Sequence, residues 1–208
     1  MKLYYSPGAS SLPVHIALRE AGLAFEAETV DLASKKTASG ADFLAINPKG
    51  YVPALVLDDG AVLTEGAALL QYVADRNPAA GLAPAAASMA RYRLMEWLHF
   101  LATEVHKNYS PMFNPKASED WKAFARGLID RRLSLVAKTL EHSPYLLGES
   151  YSVADSYLFT ILGWSKWVNV DLAKWPVFEA YSARIASRPA VIATLAAEKA
   201  AREQAKKS

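Results

Sequence analysis

Residues 52–77, VPALVLDDGAVLTEGAALLQYVADRN, decide the fold. Two β-rich runs flank Asp58-Asp59-Gly60, a strong turn signal, so residues 52–66 predict a hairpin. Pro53 cannot donate to a sheet ladder and so belongs at the start of its strand. The segment 67–77 follows at once with the spacing of an amphipathic helix. Working backwards, ADFLAINPKG (41–50) reads as a short helix stopped by Asn47-Pro48 and Gly50. FEAETVDL (25–32) alternates, with Phe25, Ala27 and Thr29, and Asp31 as a further candidate, on one face and Val30 and Leu32 elsewhere. LPVHIALREAGL (12–23) is helical in pattern, and KLYYS (2–6) is a short strand. The order strand, helix, strand, helix, strand, strand, helix predicts a mixed sheet with helices packed on it.

Working forwards, NPAAGLAPAAA (77–87) has Pro, Gly and small residues without periodicity, which marks a linker. Everything beyond it is helical in pattern. Residues 88–112 read as one long helix, and 118–142 as another, with Ser118 as N-cap and Glu119 and Asp120 at the positive end of its dipole. Ser152 and Asp155 resemble a capping box, followed by Val153, Tyr157, Ile161 and Trp164 down the next helix. Trp175-Pro176 opens a further helix, and Arg188-Pro189 separates it from the last one. The tail EKAAREQAKKS (198–208) reads as a solvated helix end of mixed charge.

The 208 residues suffice for one large domain or two small ones. Hydrophobic residues at 52% and charged residues at 21% fit a soluble globular protein. A net charge of +2, with both signs interspersed, argues against a nucleic-acid partner. No apolar run approaches the roughly 18–20 residues that span a bilayer, and MKLYYSPG lacks the apolar core of a secretory signal. With no cysteine, the chain has no disulfide, thiolate metal site or cysteine nucleophile. The expected location is the cytoplasm.

Four short stretches could carry chemistry. In SPGASSLPVH (6–15), a helix starts near Ser11 and offers unpaired N–H groups and a partial positive charge, which favour an anion such as a thiolate. Ser10 or Ser11 could equally just cap that helix. In Tyr51-Val52-Pro53-Ala54, a cis bond before Pro53 would turn the Val52 N–H and C=O outward toward an extended peptide; a trans proline at a strand start is the ordinary alternative. In Leu63-Thr64-Glu65-Gly66, Glu65 could receive an ammonium while Gly66 and Ala67 offer N–H groups to a carboxylate, or Thr64 or Glu65 merely caps a helix. His99, Thr103 and His106 are spaced to share one helix face, with Lys107 adjoining. HExxH is absent and no third ligand is in register, so zinc is not expected there.

Taken together, these stretches resemble the glutathione transferases, most closely their bacterial Beta class. The resemblance is carried by KLYYSPGASSLPVHIALREAGL, ADFLAINPKGYVPAL, LDDGAVLTEGAALLQYVAD, EWLHFLATEVHKNYSPMF and SVADSYLF, in order, from residue 1 to about 190. It implies an α/β plus all-α architecture. A thioredoxin-like domain would occupy residues 1–77, a linker 78–87 and an all-helical domain 88–208. It also implies a homodimer with its sites in the clefts between domains, glutathione as co-substrate and no metal. By resemblance, Val52 would pair its backbone with the cysteinyl unit, ahead of a cis Pro53, and Tyr51 would also contact glutathione. Glu65 and Gly66 would take the γ-glutamyl end. Lys35, His106 and Lys107 would lie around the glycyl end and the sulfur, with His99, Thr103 and Glu104 as further contacts, some across the dimer. Ser152 and Asp155 belong to the family's pattern as a folding motif.

The chain departs from the pattern at three positions: Ser10 stands where the class typically has cysteine, His99 where asparagine is common, and Thr103 where serine is common. Conjugation needs no protein sulfur, because glutathione brings its own. Lowering that thiol's pKa by about two units takes roughly 2.7 kcal/mol. One hydrogen bond to a charged group gives about 1.5–3 kcal/mol, and a helix end about 0.3–1. A hydroxyl from Ser10, Ser11 or Tyr5, aided by His106, is sufficient on magnitude. The expected activity is conjugation of glutathione to small, mostly apolar electrophiles, with Tyr109, Met112, Phe113, Trp164 and Trp167 as candidates for an apolar subsite. Two other readings stay open. One is a non-catalytic protein that binds glutathione or apolar ligands. The other is a weak thiol–disulfide oxidoreductase, handicapped because Ser10 cannot form a covalent intermediate.

Overall fold

A computed structural model of the chain describes residues 1–205. Contacts divide it into two units: residues 1–82 together with residues 187–205, and residues 83–186. The division falls inside the predicted linker. The last helix, however, groups with the first unit rather than with the helices that the sequence reading placed beside it.

In the first unit, β1 (Lys2–Tyr5), β2 (Glu26–Asp31), β3 (Lys36–Thr37), β4 (Ala54–Val56) and β5 (Val62–Thr64) form one sheet in the order β3-β2-β1-β4-β5. β1 runs parallel to β2, as the helical crossover between them requires. It is antiparallel to β4, which pairs with β5 across the predicted Asp58-Asp59-Gly60 turn. Gly60 there has φ +84°, a left-handed conformation that suits glycine. The helices are α1 (Leu12–Glu20), α2 (Phe43–Ile46) and α3 (Gly66–Arg76). Leu3, Tyr4 and Tyr5 are all buried, because both faces of β1 are covered. Tyr4, Val30, Phe43, Val52 and Ala54 cluster on one face, so Val30 rather than Phe25 and Thr29 marks the more buried side of β2.

The second unit is helical: α4 (Met89–Phe100), α5 (Lys107–Phe113), α6 (Glu119–Leu140), α7 (Val153–Trp164) and α8 (Val177–Ala186). The predicted helix at 88–112 is one rod from α4 to α5, but Leu101–His106 between them is π-helical. Ser88 and Ser118 cap their helices by accepting from the N–H groups of Arg91 and Trp121. α6 buries Ile129, Leu133, Val136, Ala137 and Leu140 along one stripe. α7 is buried almost all round, as the central helix of a bundle must be. Its start is fixed by Asp155, whose carboxylate accepts from the Ser152 N–H (2.8 Å), the Leu146 N–H (3.0 Å) and the Tyr181 hydroxyl (3.0 Å). Burial pushes the Asp155 carboxyl upward against those hydrogen bonds.

α9 (Pro189–Ala205) completes the first unit by packing on α1. Arg188 makes a two-pronged bond to Glu20, Nε to Oε1 at 2.6 Å and a second nitrogen to Oε2 at 2.9 Å. The predicted solvated tail extends to residues 206–208, which lie outside the described residues. Glu198, where that tail begins, is buried. Among the described residues, no helix is long and apolar enough to cross a membrane.

Candidate functional site

The turn between β1 and α1 puts Ser10 beside the segment that enters β4. The Ser10 hydroxyl donates to the Val52 carbonyl at 2.7 Å, although 42 residues separate them. The bond from Val52 to Pro53 is cis. The adjacent serine behaves differently. Ser11 is fully buried, its Oγ accepting from the Ser6 N–H (3.1 Å) and donating to the Ser6 carbonyl (3.2 Å). That removes Ser11 as a hydroxyl for a ligand; it closes the turn instead. Neither serine caps α1 through its side chain. Among the described residues, nothing accepts from the N–H groups of Ser10 and Ser11, which sit at the positive end of α1.

The loop before Val52 is held by buried Asn47, whose amide donates to the Tyr51 carbonyl at 2.7 Å. Lys35, at φ +59°, donates its ammonium to the Gly50 carbonyl at 2.7 Å. Gly50 itself has φ +70°, and a Cβ there would meet Leu44 at 3.1 Å, so this turn needs glycine. Tyr51 is half-exposed, with its hydroxyl 3.4 Å from Glu65 Oε1. Glu65 sits at φ +70° just before α3, a conformation costly for a residue with a side chain and typical of functional sites. Gly66 begins α3, and a Cβ there would meet nothing within 4 Å. Lys49 Nζ reaches both Glu65 Oε1 (2.6 Å) and Thr64 Oγ1 (3.0 Å). The first unit thus gathers Ser10 with Val52, Lys35 with Gly50, and Tyr51 with Glu65. In the sequence Asn47 read only as part of a helix stop, and Lys49 was not singled out.

Tyr5 lies elsewhere. Alternation along β1 puts it on the face opposite Tyr4, and its ring meets His15 of α1 at 5.0 Å. Burial, with the Glu198 carboxylate nearby, raises its phenol, while Arg19 opposes the rise.

On the helical unit, His99 and Thr103 are exposed and bonded back to their own helix. His99 Nδ1 lies 2.7 Å from the Met95 carbonyl, and Thr103 donates to the His99 carbonyl at 3.0 Å. Glu104 pairs with Arg132 at 2.6 Å. His106 does not share their face. The π-helical segment closes i→i+5 bonds, which rotates the positions after it. His106 Nδ1 instead meets the Tyr157 hydroxyl at 2.7 Å, and its ring lies edge-on to Trp164 at 4.7 Å. Burial, then the Lys107 charge, lowers its pKa to about 4, so the imidazole is neutral at pH 7. A neutral ring carries no positive charge. Lys107 is exposed at the start of α5. Of the apolar-subsite candidates, Tyr109 and Trp164 are core residues, with Tyr109 bonded to Ser165 at 2.8 Å. Phe113 and Trp167 are half-exposed. Among the described residues, no three His, Asp or Glu side chains are grouped to hold a metal.

Residues 9–76 match the family described as Glutathione S-transferase, N-terminal domain, and residues 100–189 match Glutathione S-transferase, C-terminal domain. Glutathione S-transferase GstA of Escherichia coli O157:H7 is 43% identical over 198 residues, covering 95% of this chain and 98% of the relative. A sphingomonad glutathione S-transferase, solved in complex with glutathione, superposes with a TM-score of 0.93 at 51% identity, covering 96% of this chain and 99% of that one. A bacterial beta-class glutathione S-transferase of Sphingomonas chungbukensis gives 0.92 at 48% identity, covering 95% and 98%. A chain matched over both domains and nearly end to end, with the turn, the cis proline and the buried capping box in place, belongs to the glutathione S-transferase family, among its bacterial Beta-class members.

Proposed function

We propose that this chain binds reduced glutathione against Val52 and conjugates its sulfur to small electrophiles, with the Ser10 hydroxyl holding the sulfur ionised. The observation that carries the reading is the 2.7 Å bond from Ser10 to the Val52 carbonyl. An extended peptide that pairs with the Val52 backbone then has its cysteinyl side chain next to that hydroxyl and the unpaired N–H groups of α1. Glu65 and Gly66, held beside Tyr51 and Lys49, would receive the γ-glutamyl ammonium and carboxylate, and Lys35 would lie toward the glycyl end. In the step itself, the thiol proton leaves to solvent and a sulfur lone pair forms the bond to carbon. The displaced pair leaves with a halide or moves into an activated double bond.

One charged hydrogen bond, about 1.5–3 kcal/mol, and the end of α1, about 0.3–1 kcal/mol, suffice for the roughly 2.7 kcal/mol of a two-unit shift. Neutral His106 supplies none of it as a charge. Two further elements rest on the Beta-class resemblance and belong to the same proposal: the working form is a homodimer, and it acts in the cytoplasm. The test is a pH titration of thiolate absorbance in the glutathione-saturated protein. The thiol should ionise below neutral pH, and Ser10→Ala should raise its pKa by about 1–2 units. A protein whose bound glutathione shows no thiolate near pH 7, or whose S10A variant ionises it equally well, overturns the reading.

A further inference from the structure

The turn that carries Ser10 is gripped from two sides. From within, Ser11 holds both polar groups of Ser6. From outside, α9 holds a single peptide group, the one joining Pro7 to Gly8. The Gly8 N–H donates to Glu198 Oε2 at 2.7 Å, and the carbonyl on the other side of the same peptide, that of Pro7, accepts from Arg202 at 3.0 Å. Glu198 and Arg202 are four residues apart, one turn of α9, and so point the same way. A peptide plane bonded at both its N–H and its C=O cannot rotate without losing one bond or the other. It lies two residues before Ser10.

Glu198 is not a stray surface acid. It is 3% exposed, and its second oxygen, Oε1, meets His15 Nδ1 at 2.9 Å. His15 is on α1 and 1% exposed; its Nε2 is buried with no hydrogen-bond partner among the described residues, so the ring's polar contact is spent on Glu198 alone. Tyr5 and Phe25 hold that ring edge-on at 5.0 and 5.6 Å. One carboxylate therefore fixes the first turn of α1 and the loop before it to each other. A buried carboxylate is expensive unless it is fully bonded, and hydrophobic residues at 198 and 15 would pack the two helices at less cost. A polar group kept there needs a reason besides packing.

We infer that Glu198 and Arg202 are positioning residues for thiol activation: they lock the Pro7–Gly8 peptide and thereby set where Ser10 and the open end of α1 meet the sulfur. This rests on the reading of Ser10 given above. Misplacement of a reacting group by about 1 Å costs up to about 100-fold in rate, so a loosened turn is felt in chemistry even where the fold survives.

The test uses the full chain with Glu198→Ala, Glu198→Gln and Arg202→Ala, each alone and combined with Ser10→Ala. Bound-thiol pKa, KM for glutathione, kcat and melting temperature are measured for all. E198A and R202A should raise the bound-thiol pKa by about one unit, roughly half the loss of a charged hydrogen bond, and lower kcat more than they raise KM. E198Q keeps an oxygen that can accept from Gly8 and should recover most of the shift. In the S10A background the same substitutions should add little. If E198A fails to fold, R202A, at the exposed end of the clamp, decides alone. A lower melting temperature with the bound-thiol pKa unchanged in E198A or R202A means a merely structural role and overturns the proposal. A shift in E198A and R202A alongside none in S10A supports the clamp, acting on the end of α1, while removing Ser10 from the chemistry.

Discussion

His106 offers a prediction that can be worked through from its surroundings. Its ring is wedged between Tyr157 and Trp164, with Nδ1 2.7 Å from a hydroxyl and Lys107 next in the chain. Loss of water around the charged form is the main cause of its pKa near 4, and Lys107 adds to it. The folded protein therefore holds fewer protons at this site than the unfolded chain between about pH 6.5 and 4. Stability from the neutral ring is fully present above about 6.5 and is lost as pH falls toward 4, by about 3 kcal/mol at 1.36 kcal/mol per unit. Proton NMR of the imidazole C–H signals, assigned with His106→Gln, should place its midpoint near 4. Urea unfolding from pH 7 to 4 should show wild type losing that increment relative to H106Q. Tyr157→Phe should leave the midpoint low, because burial outweighs the hydroxyl. A midpoint above about 6, or parallel loss of stability in wild type and H106Q, refutes the reasoning.

Two other outcomes rest on Ser10 and on Asp155. Ser10→Cys places a thiol at the start of α1, where thiol pKa falls from about 8.5 to as low as about 3.5. That variant should form a mixed disulfide with oxidised glutathione, seen as an added tripeptide mass, and should gain thiol–disulfide exchange activity. If no adduct forms, residue 10 does not face the cysteinyl sulfur. Asp155→Ala strands the N–H groups of Ser152 and Leu146 and the Tyr181 hydroxyl, all buried. At about 1–3 kcal/mol for each orphaned donor, equilibrium unfolding should show a loss of about 4 kcal/mol or more, and a loss below about 1 kcal/mol contradicts the assigned network.

The elements that read most clearly in the sequence are those whose signals are local. The hairpin at 52–66, the caps at Ser118 and Ser152 and the strand-to-helix turn at Ser10 each depend on residues within about five positions. What the sequence hid depends on distant partners. β3 has only two residues and exists because β2 is there to pair with it. The π-helical segment leaves the apolar spacing of 88–112 nearly unchanged, yet it turns His106 away from His99 and Thr103. Glu198 sits among Lys, Arg, Glu and Gln, so its neighbours suggest water, and only the packing of α9 on α1 buries it. Ser10 and Ser11 are the sharpest case. They are identical and adjacent, and either could serve, until Ser6 claims one and Val52 the other.

Under the proposed function, that partition would let a serine serve where the class usually has cysteine. In the structure the Ser10 hydrogen is given to the Val52 carbonyl, a neutral bond worth about 1 kcal/mol net. In the proposed complex the cysteinyl N–H of glutathione would take that carbonyl, and the hydroxyl would turn to the sulfur, where a charged acceptor gives about 1.5–3 kcal/mol. The ligand thus replaces one bond and frees the donor that its own thiolate needs, so little is lost in the exchange. Binding and ionisation then separate in one variant. S10A removes the competitor for Val52 as well as the donor to sulfur, so it should hold glutathione about as tightly as wild type while ionising it poorly. Calorimetric titration beside the thiolate absorbance measures both. A parallel loss of affinity and acidity would mean that Ser10 anchors the tripeptide itself, and the exchange at Val52 would have to be given up.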